Sequence, residues 1–230
     1  MCEIIALDHA EFAITPWHWR FAHERRAEID AHFDARRQRT PSLWNGRVLL
    51  LHEWALAAPS MRGAFFETDF ASFIAWRDWG FPDRSVMNCF AMGALRSADG
   101  AFLLGVMGAH TANAGRVYFP AGTPDPDDIA GDGVDLAGNV LREVAEETGL
   151  TARELAAQPG WTAVLAGARL ALMKVMQAHE AADDLRARIL RHLAHEPAEL
   201  ADVRIVRRRA DFDPMMPEFV TAFLARALPA

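Results

Sequence analysis

Cysteine is nearly absent: Cys2 and Cys89 are the only two in 230 residues, and neither belongs to a CxxC pair or a Cys/His cluster. That excludes a disulfide scaffold and a thiolate zinc site. Lysine is scarcer still, with Lys174 alone, so arginine carries nearly all the positive charge. No apolar run approaches the roughly 20 residues that a membrane-spanning helix needs. The opening segment MCEIIALDHAEFAITP is acidic where a secretory leader is basic. The expectation is a soluble, cytoplasmic protein with no membrane partner. A surplus of positive charge is also missing: the net charge is −7, which disfavours diffuse attraction to nucleic acid or anionic lipid. The run Arg36 to Arg39 reads as a solvated helix end, and together with Arg207 to Arg209 it is the only feature that suggests a nucleic-acid binder, a distant third reading. An acidic protein that handles an anionic substrate needs a cation between the two, and a metal ion is the natural mediator.

What is present is a chain that is 51% hydrophobic, enough to bury one substantial core with a smaller lobe beside it. The expected division is an N-terminal extension at 1–84 and a main domain at 85–230. Glu3 to Phe12 reads as one extended stretch, and Thr15-Pro16 as the N-cap and first position of a helix running to about Arg37. After the break at Thr40-Pro41-Ser42, strands are expected at Arg47 to Leu56 and Gly63 to Thr68, with Asp69 capping a helix that reaches Trp79. The apolar runs Val86 to Leu95 and Ala101 to Met107 flank Ser97-Ala98-Asp99-Gly100, a hairpin turn signal. A loop rich in Gly, Pro and Asp, Pro120 to Gly133, leads into a helix from Leu136 to Thr148. Beyond it come an apolar run, Trp161 to Ala178, broken near Gly167, a helix at Glu180 to Ala194, a strand at Asp202 to Arg207 and a closing helix at Pro217 to Ala227. There is no internal repeat.

The chemistry concentrates in Arg142-Glu143-Val144-Ala145-Glu146-Glu147-Thr148-Gly149-Leu150. On a helix Glu143 stands one turn before Glu146 and Glu147, with Cβ atoms roughly 5–6 Å apart. Like charges so close repel, and a hard divalent cation held by carboxylate oxygens is the most direct compensation. Arg142 can pair with Glu146 one turn on. Val140, Leu141 and Val144 supply the side that anchors the helix, and Gly149 suits a left-handed cap. A bare pair of glutamates usually marks solvated surface, so the weight rests on the whole pattern.

That pattern, REVAEETGL, resembles the core of the Nudix box: Arg-Glu-apolar-any-Glu-Glu-any-Gly-apolar, with every specified position filled. Average composition gives a chance match in a chain of this length a frequency on the order of 10⁻⁵ to 10⁻⁴. Upstream, Phe119-Pro120-Ala121-Gly122 resembles the Phe-Pro-Gly-Gly that opens the box, with Ala121 replacing a glycine. Five residues then separate Gly122 from Asp128, which stands where the family usually has glutamate, but the stretch from there to Arg142 is about six residues longer than the pattern allows. Counting back from Arg142 puts Val134 there instead. Asp128, Asp132 and Asp135 are all candidates for the acidic role, and Asp135 equally suits a helix N-cap.

The resemblance implies a Nudix-type α/β/α sandwich with a mixed sheet, covering about Ser85 to Arg226, and a magnesium-dependent hydrolase with manganese as a substitute. It implies Glu143 and Glu147 as principal metal ligands, with Glu146 assisting or orienting the attacking water. Arg142 is structural in this reading, and a loop carbonyl near Gly122 is a further ligand. A later carboxylate often serves as base, which makes Glu196 and Glu199 candidates, Glu199 the preferred one.

The substrate class implied is a small nucleotide-like diphosphate. Pro41-Ser42-Leu43-Trp44-Asn45-Gly46-Arg47, Thr68-Asp69-Phe70 and Asn88 resemble the N-terminal part of Nudix enzymes that hydrolyse UDP-glucose and UDP-galactose. Asn45 and Asn88 are the expected substrate contacts. A coenzyme A diphosphatase is the alternative: Gly115-x3-Phe119-Pro120 agrees with that subgroup's spacing, although Met107 and Ala112 stand near where it carries arginines. A non-catalytic nucleotide-binding module of the same fold is the reading from another class, and it commonly lacks the glutamates kept here. The sequence leaves monomer and homodimer open.

Overall fold

The computed structural model describes residues 2–41, 43–111, 113–195 and 198–229. Ser42, Ala112 and Glu196 lie outside them. In chain order the elements are β1 (Glu3–Leu7), β2 (His9–Ile14), α1 (Arg20–Glu24), α2 (Arg26–Arg39), β3 (Arg47–Ala57), β4 (Ser60–Asp69), α3 (Phe70–Asp78), β5 (Asn88–Arg96), β6 (Phe102–Met107) and β7 (Val117–Tyr118). They continue with β8 (Ile129–Ala130), β9 (Gly133–Val134), α4 (Leu136–Thr148), β10 (Leu155–Ala157), β11 (Trp161–Ala166), β12 (Arg169–Ala178), α5 (Ala182–Leu193), β13 (Leu200–Val206) and α6 (Glu218–Ala227).

The main sheet runs β1-β11-β12-β5-β6-β13, with β10 on β12 and β7 on β6. It is mixed: β12 lies parallel to β5 from Arg169↔Asn88 to Gln177↔Arg96, while its other pairings are antiparallel. A second sheet runs β3-β4-β2-β9-β8. Alternation along β3 and β4 shows how the layers stack. Leu49, Leu51 and Phe65 enter a core shared with α4, α5 and one face of the main sheet, whereas Val48, Leu50 and Phe66 turn to a separate core with α2 and α3. A strand covered on both faces reads as a continuous apolar run, as Val48 to Leu51 does. The opposite face of the main sheet, with Met92, Phe102 and Leu104, is closed by Phe219, Val220 and Phe223 of α6. This is the α/β/α sandwich with a mixed sheet that was expected. The expected boundary at 84/85 falls between α3 and β5, with β1 in the main sheet and a common core joining both sides.

Two local expectations are corrected. Glu3 to Phe12 is not one strand: it divides at Asp8, where Pro59 O accepts from the Asp8 and His9 amides, and β1 and β2 go to different sheets. Nor does Thr15 cap a helix. Its amide donates to Phe65 O and its hydroxyl meets His52 Nε2 at 2.8 Å, so the chain extends to Trp19 before α1 begins, and Arg25 (φ −110°, ψ 22°) separates α1 from α2. Among the described residues no helix is long and apolar enough to cross a membrane.

Candidate active site

Helix α4 is fixed at both ends and along one side. Asp135 accepts from the Gly138 amide at 2.9 Å, and Gly149 ends the helix at φ 71°. Val140 and Val144 are buried against β5, where Gly93 leaves room: a Cβ there would lie 2.3 Å from Val144 Cγ2. Gly93 also places the loop that faces the helix, because its amide donates to Pro120 O at 2.9 Å. Phe119 anchors the same loop, fully buried and edge-on to Phe102 and Phe223 at 5.8 and 5.7 Å. One glycine on the central sheet thereby sets the spacing between loop and helix.

Into that gap project Glu143 and Glu147. Glu147 is only 7% exposed; its Oε1 accepts from the Ala121 amide at 3.4 Å and its Oε2 is buried without a partner. Gly122 lies against Glu143, where a Cβ would sit 2.3 Å from Oε1. Burial pushes the Glu147 carboxyl up to about 8, and the charges of Glu143, Glu199 and Glu146 add to the rise against the Ala121 hydrogen bond. Burial likewise raises Glu143 to about 7, opposed by Arg142 and assisted by Glu146, Asp128 and Glu199.

Arg142 bridges two acids: Nη2 donates to Asp128 Oδ1 and Nη1 to Glu143 Oε1, both at 2.8 Å. The expected pairing with Glu146 is longer, at 3.9 Å. Asp128 is buried and also accepts from Asn139 Nδ2 at 2.9 Å and from the Asp125 amide at 3.1 Å. The three acidic candidates of the long loop therefore separate. Asp135 caps α4, Asp132 is exposed, and Asp128 reaches Arg142. The additional residues fold out as the β8–β9 hairpin, which pairs with β2, and the Asp135 amide returns to Asp128 O at 2.8 Å. The insertion is absorbed without moving Asp128 away from the helix.

The other expected site residues divide. Glu146 is 62% exposed and turned outward, so among the described residues no three acidic, imidazole or thiolate groups converge in a metal-holding cluster. Glu199 is exposed at the start of β13, beside Gly108, and its charge reaches both Glu143 and Glu147. Asn88 lines a cavity of about 420 Å³ whose wall includes Tyr118, Ala121 and Gly122. Asn45 does not line it: its Oδ1 accepts from the Ala71 amide at 2.9 Å, at the start of α3. Tyr118, Arg77, Arg116 and Arg169 also line the cavity, and sequence reasoning passed over them. The signal available was a charge in apolar company, as Arg77 after Phe70 to Trp76 and Arg169 before Leu170 to Met173.

An orphaned buried carboxylate oxygen and a second carboxylate one turn away are hard oxygen donors of the kind a divalent cation takes, and Gly122 leaves the Glu143 carboxylate room against the loop.

No family model matches the chain, and no curated protein matches it in sequence. Among solved structures it is similar to the Nudix hydrolase RenU from M. smegmatis, at 16% identity over 60% of this chain and 80% of that one, TM-score 0.39. It is similar to the MutT protein from Methanosarcina mazei Go1, at 20% identity over 61% and 92%, TM-score 0.43. A mutant of the Bacillus subtilis pyrophosphohydrolase BsRppH aligns at 15% identity over 55% and 63%, TM-score 0.30. These superpositions are loose, so the fold described above stands on the chain's own strand order and cores. REVAEETGL, which resembles the Nudix box in sequence, lies on the helix whose Glu147 and Glu143 meet the loop at Ala121 and Gly122.

Proposed function

We propose that the protein is a Nudix-type hydrolase that uses Mg²⁺, with Mn²⁺ as a substitute, to cleave a diphosphate linkage in a small nucleoside-diphosphate-linked molecule. A nucleotide sugar is the first substrate to test. The observation that carries this reading is Glu147: a buried carboxylate with one oxygen unpartnered, beside a second raised carboxylate and against a loop that closes on both. Isolated buried charge is costly, and pairing or metal coordination is the usual remedy.

Glu143 and Glu147 would hold the ion, with the Ala121–Gly122 backbone beside them. When bound, a divalent ion supplies positive charge to the diphosphate oxygens and lowers the pKa of water. The chain does the rest. Asp128 fixes Arg142, and Arg142 fixes the Glu143 carboxylate. The two raised carboxyls give up protons when they become ligands. Exposed Glu146 orients the attacking water, and Glu199 takes its proton. The water oxygen bonds to phosphorus as the bridging P–O bond breaks, leaving two phosphorylated products.

The test is one parallel assay of UDP-sugars, other nucleoside diphosphate conjugates and coenzyme A, with and without Mg²⁺. Metal-dependent release of a nucleoside monophosphate, at least a hundredfold lower in Glu147→Gln, is the expected result. A Glu147→Gln variant that turns over like wild type, or no turnover across the panel, would refute it. Ligand binding without turnover would favour the non-catalytic module.

A further inference from the structure

The cavity beside the loop carries more positive charge than its own carboxylates offset. Three guanidiniums from separate parts of the chain line it: Arg77 from α3, Arg116 just before β7 and Arg169 opening β12. Arg77 has Asp78 at 3.3 Å. Among the described residues Arg116 and Arg169 make no ion pair, and Glu218 is the one acidic side chain lining the cavity. Like charges held together in a partly buried place cost free energy unless an anion offsets them. Arg169 registers that cost: it sits below the usual arginine range, through burial first and then the charges of Arg77 and Arg116, with Glu218 opposing.

Two further observations point to a ligand. Asn88 is buried in the cavity wall with its Oδ1 unpartnered, which leaves an acceptor in want of a donor. Phe90 and Phe219, edge to face at 5.6 Å, give the wall an aromatic surface suited to a flat ring. At about 420 Å³ the cavity is of a size for a small organic ligand. Through Gly122 it adjoins the carboxylates.

We infer that this cavity receives the nucleoside 5′-phosphate half of the substrate, with the phosphate on Arg116 and Arg169, Arg77 adding charge behind them, the base against Phe90 and Phe219, and a base N–H donating to Asn88. This rests on the hydrolase reading above and assigns the part of the substrate that the carboxylates do not handle. An inorganic phosphate would use the arginines but neither the aromatic wall nor Asn88.

Calorimetric titration of the full chain, with and without Mg²⁺, tests the assignment using UMP and AMP against uridine, adenosine and inorganic phosphate. The monophosphates should bind, and the nucleosides and free phosphate should each bind at least tenfold more weakly. Arg116→Gln and Arg169→Gln should each weaken the better monophosphate by about 10- to 100-fold, the loss of one charge-assisted contact, without changing divalent binding. Arg207→Gln, in a remote ion pair with Asp183, is the control. Arg116 is exposed, so its variant reports even if Arg169→Gln does not fold. Nucleosides or free phosphate binding as well as the nucleotides, or wild-type affinity in Arg116→Gln, would overturn the assignment. Monophosphate binding with no diphosphate hydrolysis would remove the proposed activity and leave this pocket standing. Hydrolysis with an unchanged KM in both arginine variants would do the reverse.

Discussion

Replacing Asp128 by alanine removes one carboxylate and strands three donors. The side chain is 3% exposed and accepts from Arg142 Nη2, Asn139 Nδ2 and the Asp125 amide. Leaving the Asn139 amide and the Asp125 N–H in a buried place without their carboxylate acceptor costs at least about 1 kcal/mol each. The bond to Arg142 is charge-assisted, but that guanidinium is 36% exposed, so solvent screening holds its share to about 1 kcal/mol. The sum is about 3 kcal/mol, or roughly 6–12 °C in Tm for a chain of this size. Asp128→Asn keeps an acceptor for two of the three donors and should cost about 1 kcal/mol. Urea unfolding at constant m, checked by thermal melts, measures both. The alanine variant should also weaken divalent binding, because a released Arg142 is free to close on Glu143 and Glu146. An alanine variant within about 0.5 kcal/mol of wild type, the range of an ordinary surface change, would show that Asp128 does not anchor these donors. An asparagine variant as damaging as alanine would count against that anchoring too.

Gly122→Ala should fold normally yet bind Mn²⁺ at least tenfold more weakly in a titration, since its Cβ would lie 2.3 Å from Glu143 Oε1. Gly93→Ala should destabilise by about 1–3 kcal/mol in urea, the cost of overpacking a full core, because its Cβ would lie 2.3 Å from Val144 Cγ2. The metal-free protein should lose stability as pH rises from about 4.5 to about 8. Glu147 and Glu143 are raised to about 8 and about 7 from an ordinary 4.5, so the folded state binds more protons than the unfolded one in that window and stability falls with pH. Thermal melts across that range check the slope, and Mg²⁺ should raise Tm more at pH 8 than at pH 5.5.

Helix α4 was legible end to end. Asp135, the apolar spacing of Val140 and Val144, and Gly149 are local signals, and the helix runs from Leu136 to Thr148 as they indicate. The Asp99-Gly100 turn and its two strands were local in the same way. Thr15-Pro16 misled because two distant strands took the groups that a helix cap would have used, His52 of β3 the hydroxyl and Phe65 O of β4 the amide. The unbroken apolar run marks Leu49 and Leu50 as buried, and their opposite faces follow from the strand, but the run does not say what packs against each face. Counting along the chain cannot choose among Asp128, Asp132 and Asp135, since a hairpin folding outward uses residues without moving its ends apart. The cavity arginines are invisible to motif reading because separate parts of the chain contribute one each. Asn45 is a polar residue beside a turn, and the sequence does not show that its amide oxygen serves the backbone of α3.

Electron paramagnetic resonance of Mn²⁺ titrated into the wild-type protein and into Glu147→Gln, at pH 8, shows whether the buried Glu147 carboxylate holds a divalent ion. Bound Mn²⁺ is expected in the wild type, competed by Mg²⁺, with affinity lost in the variant while the fold is retained. Equal binding by both proteins, or none by either, would contradict that role for Glu147.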